Sequence, residues 1–353
     1  MSTNPYFSIT YRSSSCLNGG VTYRPISNED DFSLQLLEEI TDDAFQQPGR
    51  SYMHVESCAT REELWMVPFK GNEEMLERLL DAMEIALPVG DCLQNLHFPV
   101  DVVEDQGQYA YLLVPMRKQG TAPIRTIMPN TEAPRWDAAI NLFERVRELH
   151  SMGLTANGLS REQIRCNVQS GEVQLWLTER LSPVDYQTTV DNVAHGGFFS
   201  IPAKTESVCR KLGIRVEGTH RDIFSAAVAA FYLIICEHPF IGVQFSQLPR
   251  WMYLEQYHKM PDYVLRPGTD NHFGNMSSGI LKRKQWEQTV PALQSYFNQL
   301  FLAVTDPVKY WTPEMDCWNP ENWIEVLRTD KEHNDNESSR MHYDFGRSAY
   351  HIV

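Results

Sequence analysis

Residues 142 to 180 constrain the chain more than any other stretch. Leu142, Phe143, Val146 and Leu149 recur at helical spacing, and Gly153 supplies a stop. Beyond it, Gln163-Ile164-Arg165-Cys166-Asn167-Val168 and Val173-Gln174-Leu175-Trp176-Leu177 read as two short strands. They flank Gln169-Ser170-Gly171-Glu172, a turn with glycine at its third place. The order helix, loop, hairpin anchors the reading of everything around it.

That order and its length resemble the protein-kinase catalytic segment, roughly LHxxGIxHRDLKPENIL followed by VxLxDFG. Leu149-His150, Gly153, Leu159, Ile164, Val173 and Leu175 match the apolar framework. The residues of the chemistry do not. Ala156, Asn157 and Gly158 stand where the family has His, Arg and the catalytic Asp, Gln163 stands for the metal-binding Asn, and Leu177-Thr178-Glu179 stands for DFG. Phosphoryl transfer needs one carboxylate to position the attacking hydroxyl and another to hold Mg²⁺ against the phosphates. A glycine and a leucine do neither. The resemblance implies an α+β, protein-kinase-like bilobal fold, with a small mostly-β N-lobe over 1–116 and a larger mostly-α C-lobe over 117–328. It also implies a pseudokinase whose catalytic positions Gly158, Gln163 and Leu177 are degenerate.

Other landmarks extend the likeness. Residues 1 to 28 hold one or two edge strands, around Tyr6-Tyr11 and Val21-Ile26. Only Gly19-Gly20 stands for the family's GxGxxG, and that pair reads as a hairpin turn. Asn28 to Phe45 reads as an acidic helix, with Phe32, Leu36, Leu37 and Ile40 on one face. Residues 62 to 70 resemble the third strand of the small lobe, with Pro68 at the position of the phosphate-binding lysine. Lys70, one strand period on, is either a weak substitute or a solvated strand-end lysine. Asn72 to Ala86 follows as a helix, striped by Met75, Leu76, Leu79, Leu80 and Met83.

A hairpin turning at residues 104–107 comes next. Its Phe98-Pro99, Asp101, Asp105, Gly107 and Pro115-Met116 are similar to a stretch in bacterial kinase-like proteins of tellurite-resistance-associated triads. Those are encoded beside a von Willebrand A-domain protein and a PP2C-type phosphatase, so the resemblance implies partners of that kind or an active kinase. Further along, Ile201-Pro202-Ala203 stands for APE, and Cys317 stands where the family has the arginine that pairs with its glutamate. Both ends of that ion pair are uncharged here. The run Asp222-Ile223-Phe224 to His238-Pro239-Phe240-Ile241-Gly242 resembles the central helix and its exit. Asp222 is a structural brace for the catalytic loop or a helix N-cap, and His238 reads as part of a packed turn. A helix is expected over 285–305, a last one over 320–328, and a flexible tail over 329–353.

With 353 residues, 42% hydrophobic and 22% charged, the chain has enough apolar residues for one large core or two modest ones. Its formal charge of −15 opposes binding to nucleic acid or to an anionic membrane surface. Seven scattered cysteines without metal spacing read as reduced thiols of a cytoplasmic protein. The longest apolar run, Ile223 to Cys236, is too short to span a bilayer.

Two function classes follow. One is a scaffold or regulator of partner proteins in a bacterial signalling or stress system, with no ATP, Mg²⁺ or other cofactor. The other is a nucleotide-dependent transferase with relocated metal carboxylates, for which Glu162, Glu179 and Asp185 are the weak candidates. For the scaffold, an interface is expected around the former cleft and residues 182–218. Tyr186, Phe198 and Phe199 are its anchors unless they merely pack on the large lobe.

Overall fold

The computed structural model describes residues 8–13, 31–40, 52–57, 63–69, 72–86, 95–105, 108–113, 121–124, 134–178, 180–186, 197–274 and 277–349. The first strands are β1 (Ser8–Ser13), β2 (Asp31–Ile40), β3 (Tyr52–Ser57) and β4 (Glu63–Pro68). The helix expected over 28–45 is therefore a strand across its middle. Phe32, Leu34 and Leu36 alternate with Asp31, Ser33 and Gln35, a period of two, and β2 pairs with both β1 and β3, its register slipping between Leu36 and Glu38.

After β4 come α1 (Glu73–Ala86), β5 (Leu96–His97), β6 (Pro99–Asp105) and β7 (Gln108–Leu113). Asn72 caps α1 through its side-chain oxygen, which accepts the Met75 N–H at 3.0 Å. β6 and β7 form the expected hairpin, with Asp105 opposite Gln108. The strands close into a barrel in the order β1-β2-β3-β4-β7-β6, β1 also pairing with β6. The strand expected third is thus fourth. It pairs with β3 on one side and β7 on the other, and the β2–β3 hairpin beside it is joined through 41–51, which contain a single glycine, Gly49. Gly19-Gly20 and Val21-Ile26 lie outside the described residues.

β8 (Thr121–Pro123) leads to α2 (Arg135–Ser151), β9 (Leu154–Thr155), β10 (Ile164–Asn167), β11 (Val173–Trp176) and β12 (Ser182–Pro183). β10 and β11 are the predicted hairpin, and Gly171 takes a φ of +73° in its turn. β5 adds to β11 in parallel, so one short strand before β6 belongs to the sheet of the helical lobe and ties the lobes together.

The rest is helical: α3 (Ala203–Lys211), α4 (Gly218–Ile235), α5 (Tyr253–Lys259), α6 (Ser277–Gln288), α7 (Pro291–Thr305), α8 (Pro307–Tyr310) and α9 (Pro320–Ala349). α4 is buried over nearly its whole length and forms the axis of the core. α2 packs against both α4 and α9, with Phe143 stacked on Trp323 at 5.0 Å.

Two boundaries differ from the sequence reading. The helix expected over 285–305 is broken at Thr289-Val290, because Pro291 has no N–H to continue it and opens α7 instead. The last helix does not stop at Arg328. Asp330, read as the start of a tail, is fully buried, accepting the Trp136 indole N–H and the Val290 backbone N–H, each at 2.7 Å.

Candidate functional site

Asp222 organises the loop between β9 and β10. Inside α4, not at its N-cap, it is fully buried. Its carboxylate accepts the backbone N–H of Ala156 at 2.9 Å and of Gly158 at 2.6 Å, and the Thr155 hydroxyl at 2.6 Å. His150 Nε2 lies 3.1 Å away. Asn157 is held at φ +54°, its amide donating to the Arg180 carbonyl at 2.8 Å and to Ser182 at 2.6 Å. The loop is thereby fastened on one side to α4 and on the other to β12.

The three positions expected to carry chemistry have other duties. Gly158 adopts φ +91°, where a side chain is strained, and a Cβ there would sit 3.4 Å from Ser225 Oγ and 3.6 Å from Arg221 Cβ. Gln163 is buried with both ends of its amide engaged. Its oxygen accepts the Ser160 N–H at 2.9 Å, and its nitrogen donates to the Trp176 carbonyl at 3.1 Å and to Thr178 at 3.2 Å. Leu177 is fully buried in the hydrophobic core, and its N–H donates to the His97 carbonyl.

Where the lobes meet, Trp176 and Trp65 of β4 pack with ring centroids 4.8 Å apart. The Arg165 guanidinium lies over the Trp176 ring at 4.5 Å, and all three side chains are buried. Nothing in the sequence patterns singled out this aromatic and cationic filling. A tryptophan before the altered DFG position was its one available signal.

Pro68 stands opposite Ala110 in the barrel register, and Lys70 lies outside the described residues. Of the carboxylates considered for a displaced metal site, Glu162 is engaged by Arg161 at 2.6 Å, Asp185 is exposed, and Glu179 lies outside the described residues. Among the described residues no group of three or more His, Cys, Asp or Glu is placed to hold a metal ion. Cys166, Cys209 and Cys317 are buried free thiols, and burial pushes them up to about 12, 11 and 12.

The segment before α3 is fixed by its carbonyls. His238 Nε2 meets the Phe198 carbonyl at 2.8 Å, the Ser225 hydroxyl donates to that of Phe199 at 2.9 Å, and the Tyr257 hydroxyl to that of Ser200 at 2.6 Å. Phe199 is a core residue, which corrects its expected role as a surface anchor. Phe198 is half-buried against His238 and Tyr257. Tyr186 is half-buried beneath Arg78 of α1, whose guanidinium is 5.6 Å from the ring centre.

No known family profile matches the chain, and no curated protein sequence matches it. Solved structures do match. The crystal structure of a Toxoplasma gondii specific rhoptry antigen kinase domain aligns with a TM-score of 0.52 at 14% identity, covering 93% of this chain and 87% of that one. The chain has an α+β, protein-kinase-like fold, with a small sheet lobe and a larger helical lobe. No described helix is long and apolar enough to cross a membrane.

Proposed function

We propose that the chain is a pseudokinase, a catalytically empty kinase-like scaffold that binds or regulates protein partners. One observation carries this reading. Gln163, at the position of the metal-binding Asn, gives both amide N–H donors to Trp176 and Thr178 and its oxygen accepts the Ser160 N–H, so the side chain is held by the fold, and among the described residues no cluster of carboxylate or imidazole ligands joins it. Leu177 in the core and the Trp65–Trp176 contact between the lobes agree with it. The candidate partners are those of the bacterial triad that the hairpin at 96–116 resembles: a von Willebrand A-domain protein, a PP2C-type phosphatase or an active kinase.

Thermal melting with and without ATP and Mg²⁺ tests the reading. A ligand at 100 times its Kd adds about 2.7 kcal/mol of stability. No shift at millimolar ATP is expected, and a clear saturable rise in melting temperature would count against an empty site.

A further inference from the structure

We propose that Arg78 receives a carboxylate carried by a protein partner, entering beside Tyr186. The idea rests on the partner-binding reading above and adds the chemistry of the contact. Arg78 lies on the buried face of α1 and is only 2% exposed, yet its Nε and Nη1 have no hydrogen-bond partner among the described residues. Glu74, one turn earlier, is within electrostatic reach without closing on those atoms. The neighbouring Arg221 guanidinium is engaged elsewhere, by Glu206. Burying a cation without an acceptor is costly. An anion reaching those two donors would remove that cost.

The geometry selects the class of anion. A guanidinium presents planar N–H donors that match the paired oxygens of a carboxylate or a phosphate. Glu74, Glu77 and Asp81 all act electrostatically on Tyr186, whose ring lies against Arg78. That acidic rim opposes the dianionic charge of a phosphate monoester and tolerates a single negative charge better. Tyr186 is half-buried, so the approach to Arg78 runs past a ring already in contact with solvent.

The test is thermal melting of the full chain at constant ionic strength, for wild type and Arg78→Met. The conditions are chloride alone, added acetate, added inorganic phosphate, or added acetyl-Gly-Glu-Gly-amide. In chloride, Arg78→Met should melt at the same temperature or higher, because an apolar chain of similar reach replaces an uncompensated charge. Wild type should gain a saturable upward shift with acetate and, at lower concentration, with the peptide, while Arg78→Met gains none. Arg78→Lys, which keeps the charge and loses the fork, should respond less than wild type. A lower melting temperature or loss of folding for Arg78→Met, or equal responses in both proteins, would overturn the site. Phosphate outdoing the carboxylates would overturn the ligand class, and acetate matching the peptide would overturn the protein source. None of these arms contains nucleotide, so their failure leaves the catalytically empty reading standing.

Discussion

Arg221 Nε donates to Glu206 Oε1 at 2.9 Å, and both side chains are almost completely buried. Glu206 lies one helical turn beyond Ala203, which by the sequence resemblance stands where kinases have an ion-pairing glutamate, and Arg221 immediately precedes Asp222. Burial pushes the Glu206 carboxyl up, and Arg221 offsets this only in part. Desolvation thus outweighs the attraction, as is common for buried pairs. Removing one partner, by Glu206→Leu or Arg221→Met, should cost about 3–5 kcal/mol, whereas the double substitution should be close to neutral. Urea unfolding of the two single variants and the double variant measures this as a coupling energy.

Two buried histidines set an acid limit. His238 accepts the Phe240 N–H on Nδ1 at 3.2 Å and donates from Nε2 to the Phe198 carbonyl, so it is held neutral in one tautomer. His220 accepts the Glu217 N–H on Nδ1 and packs against Trp311 and Trp318. Burial pushes both down from 6.5 to about 4. The unfolded chain then binds more protons than the folded one between those values. Their contribution is fully present above pH 6.5 and is lost as pH falls toward 4, about 3 kcal/mol for each. Glu206 and Asp330, pushed up by burial, act in the opposite sense. The comparison is therefore between wild type and His238→Gln: the variant's stability should fall less steeply from pH 7 to pH 4.5.

Restoring single catalytic residues should not restore chemistry. Gly158→Asp puts a side chain at φ +91° and against Ser225, a strain of about 1–3 kcal/mol. Leu177→Asp buries a carboxylate in the apolar core and should cost several kcal/mol. Both variants should melt lower than wild type and show no phosphoryl transfer from labelled ATP. Transfer above background by either one would refute the account of a site emptied at several points.

The parts of the fold that sequence made legible are those where local pattern and tertiary environment agree. The α2, β10 and β11 segment has its predicted order, with strand ends within one residue of those expected, because apolar period, glycine stop and turn all pointed the same way. β2 misled because Leu36-Leu37 and Glu38-Glu39 mimic a helical face, and only pairing with β1 and β3 decides between the periods. Glu206–Arg221 and Trp65–Trp176 were not visible, since each joins residues far apart in the chain with no spacing rule between them. Asp222 was singled out, but two roles fitted it equally until its position inside α4 was known.

The segment that precedes α3 separates packing from recognition. Phe199 is buried in the core, so Phe199→Ala should destabilise by about 3–5 kcal/mol. Phe198 packs only partly, against His238 and Tyr257, and its truncation should cost less. Tyr186 is half-buried with Arg78 of α1 over its ring and lies outside the hydrophobic core, so Tyr186→Ala should leave stability within about 1 kcal/mol of wild type. If the partner surface runs through this region, Tyr186→Ala is the variant that loses partner binding while staying folded. Urea unfolding of the three variants, followed by binding of purified candidate partners to those that stay folded, reads both effects. Phe199→Ala as stable as wild type would contradict its place in the core. Undiminished binding by Tyr186→Ala would move the interface away from this face.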